Sequence, residues 1–306
     1  MANYFLRRLM AMIPVLVIIS IFVFGFVHAL PGDPARIMAG EDATLADVEA
    51  LRQRLGLNDG LLLQYFTFLK NLVTFNLGNS LRTGEPVYDM LARAFMPTFW
   101  LSFCALAWSL VAGLFIGVFS ATRHGKAADR LGMVVAVSGI SMPNFWLGIL
   151  LMQLFSLKLK WLGTSGFETA SDLILPSITL GTTVAAVMAR FTRSALIEVV
   201  REDYIRTARA KGLSARIVIW KHALRNALIP IVTMIGLQFG FLLGGSIVIE
   251  RVFRWPGLGS VLVEAIYVRD YAVIQAELML FSFEFLLINL VADVLYGFIN
   301  PAIRYK

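Results

Sequence analysis

Residues 61–77, LLLQYFTFLKNLVTFNL, decide the topology of this chain. The run is apolar enough to pass for a membrane crossing, yet Gln64, Lys70, Asn71 and Asn76 interrupt it. Leu62, Tyr65, Phe66, Leu69, Leu72 and Val73 recur at steps of three and four residues. That spacing describes a one-sided helix lying on a membrane surface or on protein. Counted as a crossing, the segment makes seven; left on the surface, it leaves six.

The six other stretches are 9–30, 98–121, 131–157, 173–193, 228–249 and 273–299. Each supplies the roughly 20 apolar residues that a helix rising about 1.5 Å per residue needs to cross about 30 Å of hydrocarbon. Arg7 and Arg8 before the first stretch, and Val27-His28-Ala29 near its end, also suit a cleaved secretion signal. The apolar run outlasts the roughly 7–15 residues of a signal core, which favours a retained anchor. Composition agrees: 58% of the 306 residues are hydrophobic and 15% charged, against about 45–50% and about 25% for a soluble domain.

Charge chooses between six crossings and seven. With six, the N-terminus, the 122–130 loop, the 190–227 segment and the C-terminal tail share one side, which holds 16 basic residues against Asp129, Glu198, Glu202 and Asp203. Basic excess marks the cytoplasmic face, so both termini are expected there. A seventh crossing at 61–77 would send the largest basic loop outside. The net charge of +7 therefore orients a membrane protein and gives no sign of nucleic-acid binding. The expected fold is all-α, with six transmembrane helices. It divides into a tail and first helix (1–30), an extracytoplasmic capping segment (31–97) and a five-helix core (98–306). The capping segment opens with the helix-stopping LPGDPAR (30–36) and continues into a short helix near 45–55.

Sites for chemistry are scarce. No G-x-x-x-x-G-K-[ST] phosphate loop occurs, His28, His124 and His222 are remote from one another, and the single cysteine, Cys104, lies in an apolar run. No metal cluster, hydrolytic triad or carboxylate pair stands out, so the chain reads as non-catalytic.

The most informative stretch is the basic segment 194–227, SALIEVVREDYIRTARAKGLSARIVIWKHALRNA. Glu202 and Asp203 open a helical pattern, Gly212 closes it, and Ser214 caps a second helix running to Leu224. Thr207 and Ala208 are small enough for close approach. The residues alone leave two readings: a helix docked on a cytoplasmic partner, or a basic loop held by anionic membrane lipids.

Here the motifs carry a resemblance. Tyr204-Ile-Arg-Thr-Ala-Arg-Ala-Lys-Gly212 and His222-Ala-Leu-Arg-Asn-Ala-Leu-Ile-Pro230 are similar to the EAA-type loop of ATP-binding-cassette importer permeases, in the form used by the dipeptide, oligopeptide, nickel and glutathione subgroup. Leu30-Pro-Gly-Asp-Pro-Ala-Arg36, Gly245-Ser-Ile-Val-Ile-Glu-Arg-Val-Phe-Arg-Trp-Pro-Gly-Leu-Gly259, Arg269-Asp-Tyr271 and Asn300-Pro-Ala-Ile-Arg-Tyr305 extend the likeness along nearly the whole chain. Within the family it most resembles the first permease subunit of glutathione importers. Arg206-Thr207-Ala208 stand where the general pattern has Glu-Ala-Ala, and Leu224-Arg225 replace a Leu-Pro pair, with proline delayed to Pro230; both departures resemble the peptide subgroup. The resemblance implies a coupling helix that contacts an ATPase subunit through Tyr204, Arg206, Thr207, Ala208, Ala210, Lys211 and Gly212. It also implies a second homologous permease, two ATPase subunits or domains that use ATP and magnesium, a periplasmic substrate-binding protein, a bacterial inner-membrane location and no cofactor on this chain. By the same resemblance Arg251, Trp255, Pro256, Gly257 and Gly259 lie near the extracytoplasmic mouth.

Ionisable residues inside crossings cost about 2.5–3.5 kcal/mol on insertion scales and face protein or water. Glu277 and Glu284, seven residues apart in the last crossing, share one face, while Asp293 points elsewhere. They line a pore or are buried against neighbouring helices. Gln238 and Asn144 are weaker path residues, with interhelical hydrogen bonding as their default, as it is for Gln153 and Asn289. The ladders Gly113-Gly117 and Gly236-Gly240-Gly244 suit close helix packing, and Pro143 and Pro176 suit kinks. A different class of function, an ion-coupled carrier working alone through Glu277 and Glu284, fits the same residues. The motifs favour an ATP-driven permease subunit importing glutathione or short peptides by alternating access.

Overall fold

The computed structural model describes residues 2–29, 32–40 and 43–299. Leu30 and Pro31 of the first motif, the terminal motif at 300–305, and the tail charges Arg304 and Lys306 lie outside the described residues. The helices are α1 (Ala2–Ala29), α2 (Pro34–Ala39), α3 (Leu45–Arg54), α4 (Leu61–Val73), α5 (Val87–Thr122), α6 (Ala127–Ser141), α7 (Asn144–Leu151), α8 (Ile174–Val200), α9 (Asp203–Ala210), α10 (Ala215–Ile217), α11 (Leu224–Val252), α12 (Leu258–Val268) and α13 (Tyr271–Ile299). A π-helical turn at Met152–Lys158 continues α7, another at Val218–Ala223 joins α10 to α11, and a 3-10 turn at Ala170–Leu173 leads into α8.

Five of these helices are long and apolar enough to cross a membrane, and α6 with α7 makes a sixth as a bent pair. Their axes differ by 101°. Pro143 explains the break: its ring lacks an N–H and pushes Met142 into extended backbone (φ −90°, ψ 123°), so the helix stops and restarts at Asn144. Pro176, by contrast, lies in the first turn of α8, where a missing N–H costs nothing, and kinks nothing. With 13 residues, α4 is too short to cross. Tyr65 and Phe68 turn toward Phe24 of α1, with ring centroids at 5.4 and 5.9 Å, and the Tyr65 hydroxyl meets Ser20 Oγ at 2.8 Å. Leu62, Phe66 and Val73 remain exposed, so only part of the apolar stripe is used within the chain.

The chain forms two compact units. One comprises residues 6–98 and 256–286. The other is built on 99–255 together with residues 2–5 and 287–299. The sequence boundary at 97/98 falls inside α5, because Pro97 is accommodated within the helix. Residues 256–286 group with the capping segment rather than with the core, because polar contacts tie them to it.

In the first unit, Asp33 caps α2 by accepting the Ala35 N–H at 3.1 Å and holds Arg52 of α3 at 2.6 Å. Thr44 and Asp47 form a reciprocal capping box on α3, and the hydrogen bonds from Thr44 hold the Asp47 carboxyl below its ordinary range. The strap between α4 and α5 is pinned by Ser80, whose hydroxyl donates to buried Asp270 at 2.6 Å, and by an Arg82–Glu264 ion pair. Thr98 Oγ1 accepts the N–H of Leu258 at the start of α12, a helix the sequence pattern did not reveal.

The second unit is organised around α8. Among lipid tails apolar burial drives little helix association, so contact depends on how closely backbones approach. A Cβ on Gly113 would lie 2.6 Å from Met188 Cβ, and one on Gly117 would lie 2.7 Å from the Ala189 carbonyl. The missing side chains let α5 seat on α8. Gly181 likewise receives Trp108, whose indole N–H donates to the Ser177 carbonyl at 2.7 Å. Gly236 packs on Ala292, but Gly244 faces open space, so the second ladder serves close packing only in part.

Candidate functional site

Helix α9 is short, strongly charged and two-faced. Glu202 precedes it in extended backbone, Asp203 sits in its positive first turn, and Gly212 ends the turn that follows with φ +77°. Nothing lies within 4 Å of a Cβ built on Gly212, so the glycine is required by backbone conformation and not by crowding. Ile205 and Ala208, three residues apart, are buried in a cluster that includes Leu196 of α8 and Val218, Ala223 and Ala227 around the start of α11. The outer face presents Arg206, Thr207, Ala210, Lys211 and Gly212 to solvent. Tyr204 is half-exposed and accepts a hydrogen bond from Asn226 Nδ2 at 2.6 Å.

One residue of the expected contact set is thereby corrected. Ala208 is small because it packs inward beside Ile205, not because a partner approaches it. The second helix is corrected as well: it does not end at Leu224. The π-helical turn Val218–Ala223 runs without interruption into α11, so α9 is fastened to the foot of a long membrane helix.

A second fastening escaped the sequence reading. Asp129 of α6 is 3% exposed and receives Arg193 of α8 in a two-pronged pair, Nε to Oδ1 at 2.6 Å and Nη2 to Oδ2 at 2.8 Å. The Gly125 N–H adds a third bond at 2.9 Å, and His124 Nδ1 lies 3.0 Å from Arg193 Nη2. This locks the α5–α6 loop onto α8. The 64 residues between the partners gave no local pattern by which to find it.

The expected path residues lie in helix packing. Glu277 has no exposed surface and Glu284 is 8% exposed, both on α13. Gln238 of α11 is buried, and Asn144 Oδ1 accepts a hydrogen bond from Thr183 at 2.9 Å, joining α7 to α8. These side chains sit between helices, the alternative to a pore lining that the sequence also allowed. Glu250 of α11, inside a quoted motif but not picked out, is also fully buried.

The mouth segment divides. Arg251 and Pro256 are exposed, whereas Trp255 is 1% exposed and packs against Phe167, ring centroids 4.7 Å apart and tilted by 49°, so Trp255 is held as an anchor. Its N–H bonds the Glu250 carbonyl at 2.8 Å as the chain turns out of α11. Gly257 and Gly259 are buried around the start of α12.

Residues 113–305 match the family model of the binding-protein-dependent transport system inner membrane component, and residues 1–102 match the model of the N-terminal part of such membrane components. The chain belongs to this permease family. The permease is 57% identical over 306 residues, the whole of both chains, to the glutathione transport system permease protein GsiC of Pectobacterium atrosepticum, and 55% identical, again over both full lengths, to that of Escherichia coli strain K12. Its fold is that of a chain of the inward-facing MetNI methionine ABC transporter, with a TM-score of 0.61 at 22% identity over 71% of the permease and 99% of that chain. It is a multi-pass membrane subunit of an ATP-binding-cassette importer and works as part of a larger complex. The ion-coupled carrier working alone gives way to this assignment.

Proposed function

We propose that the permease carries glutathione or short peptides inward across a bacterial inner membrane, with both termini on the cytoplasmic side. It pairs with a second homologous permease, receives substrate from a periplasmic binding protein, and is driven by two ATPase subunits or domains that use ATP and magnesium. The names of its full-length relatives support the substrate class. The observation that carries the coupling role is the division of α9 into a buried inner face and an exposed outer one.

The residues then act in sequence. The ATPase grips Arg206, Thr207, Ala210 and Lys211. Its closure moves α9, and Ile205, Ala208 and the Tyr204–Asn226 hydrogen bond hand that displacement to α8 and α11 without slack. The Asp129–Arg193 clasp carries the α5–α6 loop with α8. Alternating access follows as helices shift around buried polar positions such as Glu277 and Glu284.

Reconstituting the complex in liposomes tests this reading. ATP-dependent uptake of labelled glutathione, absent when the ATPases are omitted, is the expected result. Gradient-driven uptake by this chain alone would overturn it.

A further inference from the structure

Helix α6 spends its small residues on one side. A Cβ on Gly132 would run into Ser120 of α5, one on Gly139 would meet Thr182 and Ala186 of α8, and Ala136 is buried with Ala186 and Ala189. The other side is bulky and open. Val134, Val137 and Trp146 are exposed there, and with Met133 and Met142 they wall a hollow in the elbow between α6 and α7, wholly within the unit built on 99–255. Its volume is about 570 Å³, within the roughly 300–1,000 Å³ usual for small-molecule sites. The coupling mechanism uses none of these residues.

The elbow lies deep in the membrane. Asn144, where the helix restarts, accepts its hydrogen bond from Thr183 of α8. Thr183 is about 15 Å along α8 from Arg193, the charged limit of that crossing, at about 1.5 Å per residue; this is half of the roughly 30 Å of hydrocarbon. At that depth the chain turns by 101° through the extended backbone of Met142. Pro143 has no N–H to offer the Gly139 carbonyl, and the Trp146 and Leu147 N–H groups turn to the Pro143 carbonyl instead, at 3.0 and 3.1 Å. The last carbonyls of α6 are thus left without helical partners. Ser138 and Ser141 line the same hollow. Their hydroxyls donate to the Val134 and Val137 carbonyls at 2.8 and 3.1 Å, so their oxygens are left to accept.

Lipid cannot serve such an edge, because irregular backbone at membrane depth persists only where protein covers it or water reaches it. A second helix is a poor match too. Where this chain seats helix on helix it uses glycine, as Gly113 and Gly117 do for α8, whereas the elbow presents methionine, valine and tryptophan, which hold a neighbouring backbone away. Water and a solute that donates hydrogen bonds remain.

We propose that the elbow of α6 and α7 is a wall of the aqueous translocation path. The Ser138 and Ser141 oxygens and the α6 carbonyls accept from the N–H groups of a passing short peptide, and the flexible Met133 and Met142 adapt to its varied side chains. The peptide contact rests on the import reading; the water-facing elbow rests on the break in the helix.

The test uses the complete importer in nanodiscs, where both faces are open, with Cys104→Ser as the background and a membrane-impermeant cationic methanethiosulfonate as the probe. Ser141→Cys is compared with Val111→Cys, 71% exposed on α5 at similar depth, two residues before Gly113 and its contact with the Ala185 carbonyl. In at least one of the nucleotide-free and ATP-bound states Ser141→Cys reacts at least about tenfold faster, since only a thiolate attacks the reagent and only water supports one. Ser138→Cys, on the same face, gives the same result and serves if Ser141→Cys does not assemble. Moved to liposomes after labelling, Ser141→Cys loses ATP-dependent glutathione uptake and Val111→Cys treated alike keeps it. Equal rates at the two positions in both states would put lipid or the second permease against the elbow and overturn the proposal, and rapid reaction without loss of uptake would overturn the solute contact. Uptake by untreated Ser141→Cys with an unreactive thiol sinks the elbow and spares the import reading. A reactive thiol in an importer that takes up triglycine but not glutathione spares the elbow and sinks the glutathione assignment.

Discussion

The segment around α9 and the layer of α2, α3 and α4 are both held by polar contacts, but the contacts differ in depth. Beside α9 the Asp129–Arg193 pair is buried and two-pronged, with Asp129 at 5% side-chain exposure. In the capping layer the Asp33–Arg52 pair is single-pronged, with side chains 28% and 40% exposed against 5% and 23% for Asp129 and Arg193. A buried pair holds rigidly, because separating it strands a charge, whereas an exposed pair exchanges readily with water. The proposed coupling role of the α9 region would gain from the first arrangement.

The comparison breaks most readily at Arg193. Arg193→Ala leaves Asp129 buried without its partner and lowers stability by about 3–5 kcal/mol, read as a large drop in the thermal unfolding midpoint in detergent, with import abolished. A midpoint unchanged from wild type would show that the clasp is no tighter than a surface pair. Next comes the seat of α5 on the same α8. Gly117→Leu drives a side chain into the Ala189 carbonyl and Thr192, costs about 1–3 kcal/mol or more, and reduces the yield of assembled complex; normal yield and stability would contradict the close approach.

On the other side of the comparison, Arg52→Ala leaves the unfolding midpoint near wild type while faster amide exchange appears in α2 and α3. A fall as large as that of Arg193→Ala would erase the distinction. The smallest effect concerns the α3 cap. Asp47 is held below its ordinary pKa of 3.8, so the cap contributes fully above that pH and is lost as pH falls through the depressed folded value. Thr44→Ala removes this acid sensitivity, which amide exchange at residues 45–48 would register.

How much of this was legible in the sequence depended on whether the signal was local. Six apolar stretches, the one-sided α4, the short helix near 45–55 and the Glu202-to-Gly212 limits of α9 all follow from composition and spacing within about 20 residues. The inward turn of Ala208 was also latent in its three-residue spacing from Ile205, but small size alone suggested a partner contact. Long-range pairing left no such trace. Asp129 and Arg193 looked like ordinary members of a charged cytoplasmic face, and Ser80 and Asp270 lie 190 residues apart. Trp255 was placed near the mouth by resemblance alone, and the burial against Phe167 left no local trace because that residue is remote in sequence.

Gly212 offers the most direct measurement of the central claim, that the outer face of α9 receives the ATPase. Gly212→Ala and Gly212→Trp incur the same backbone strain, about 1–2 kcal/mol for a left-handed residue, and both side chains enter empty space in the chain by itself. They differ only in the bulk offered to a partner. In reconstituted complex, ATP-dependent glutathione uptake is expected to persist in Gly212→Ala and to vanish in Gly212→Trp, with both variants inserted normally. Equal uptake by the two variants would contradict the account.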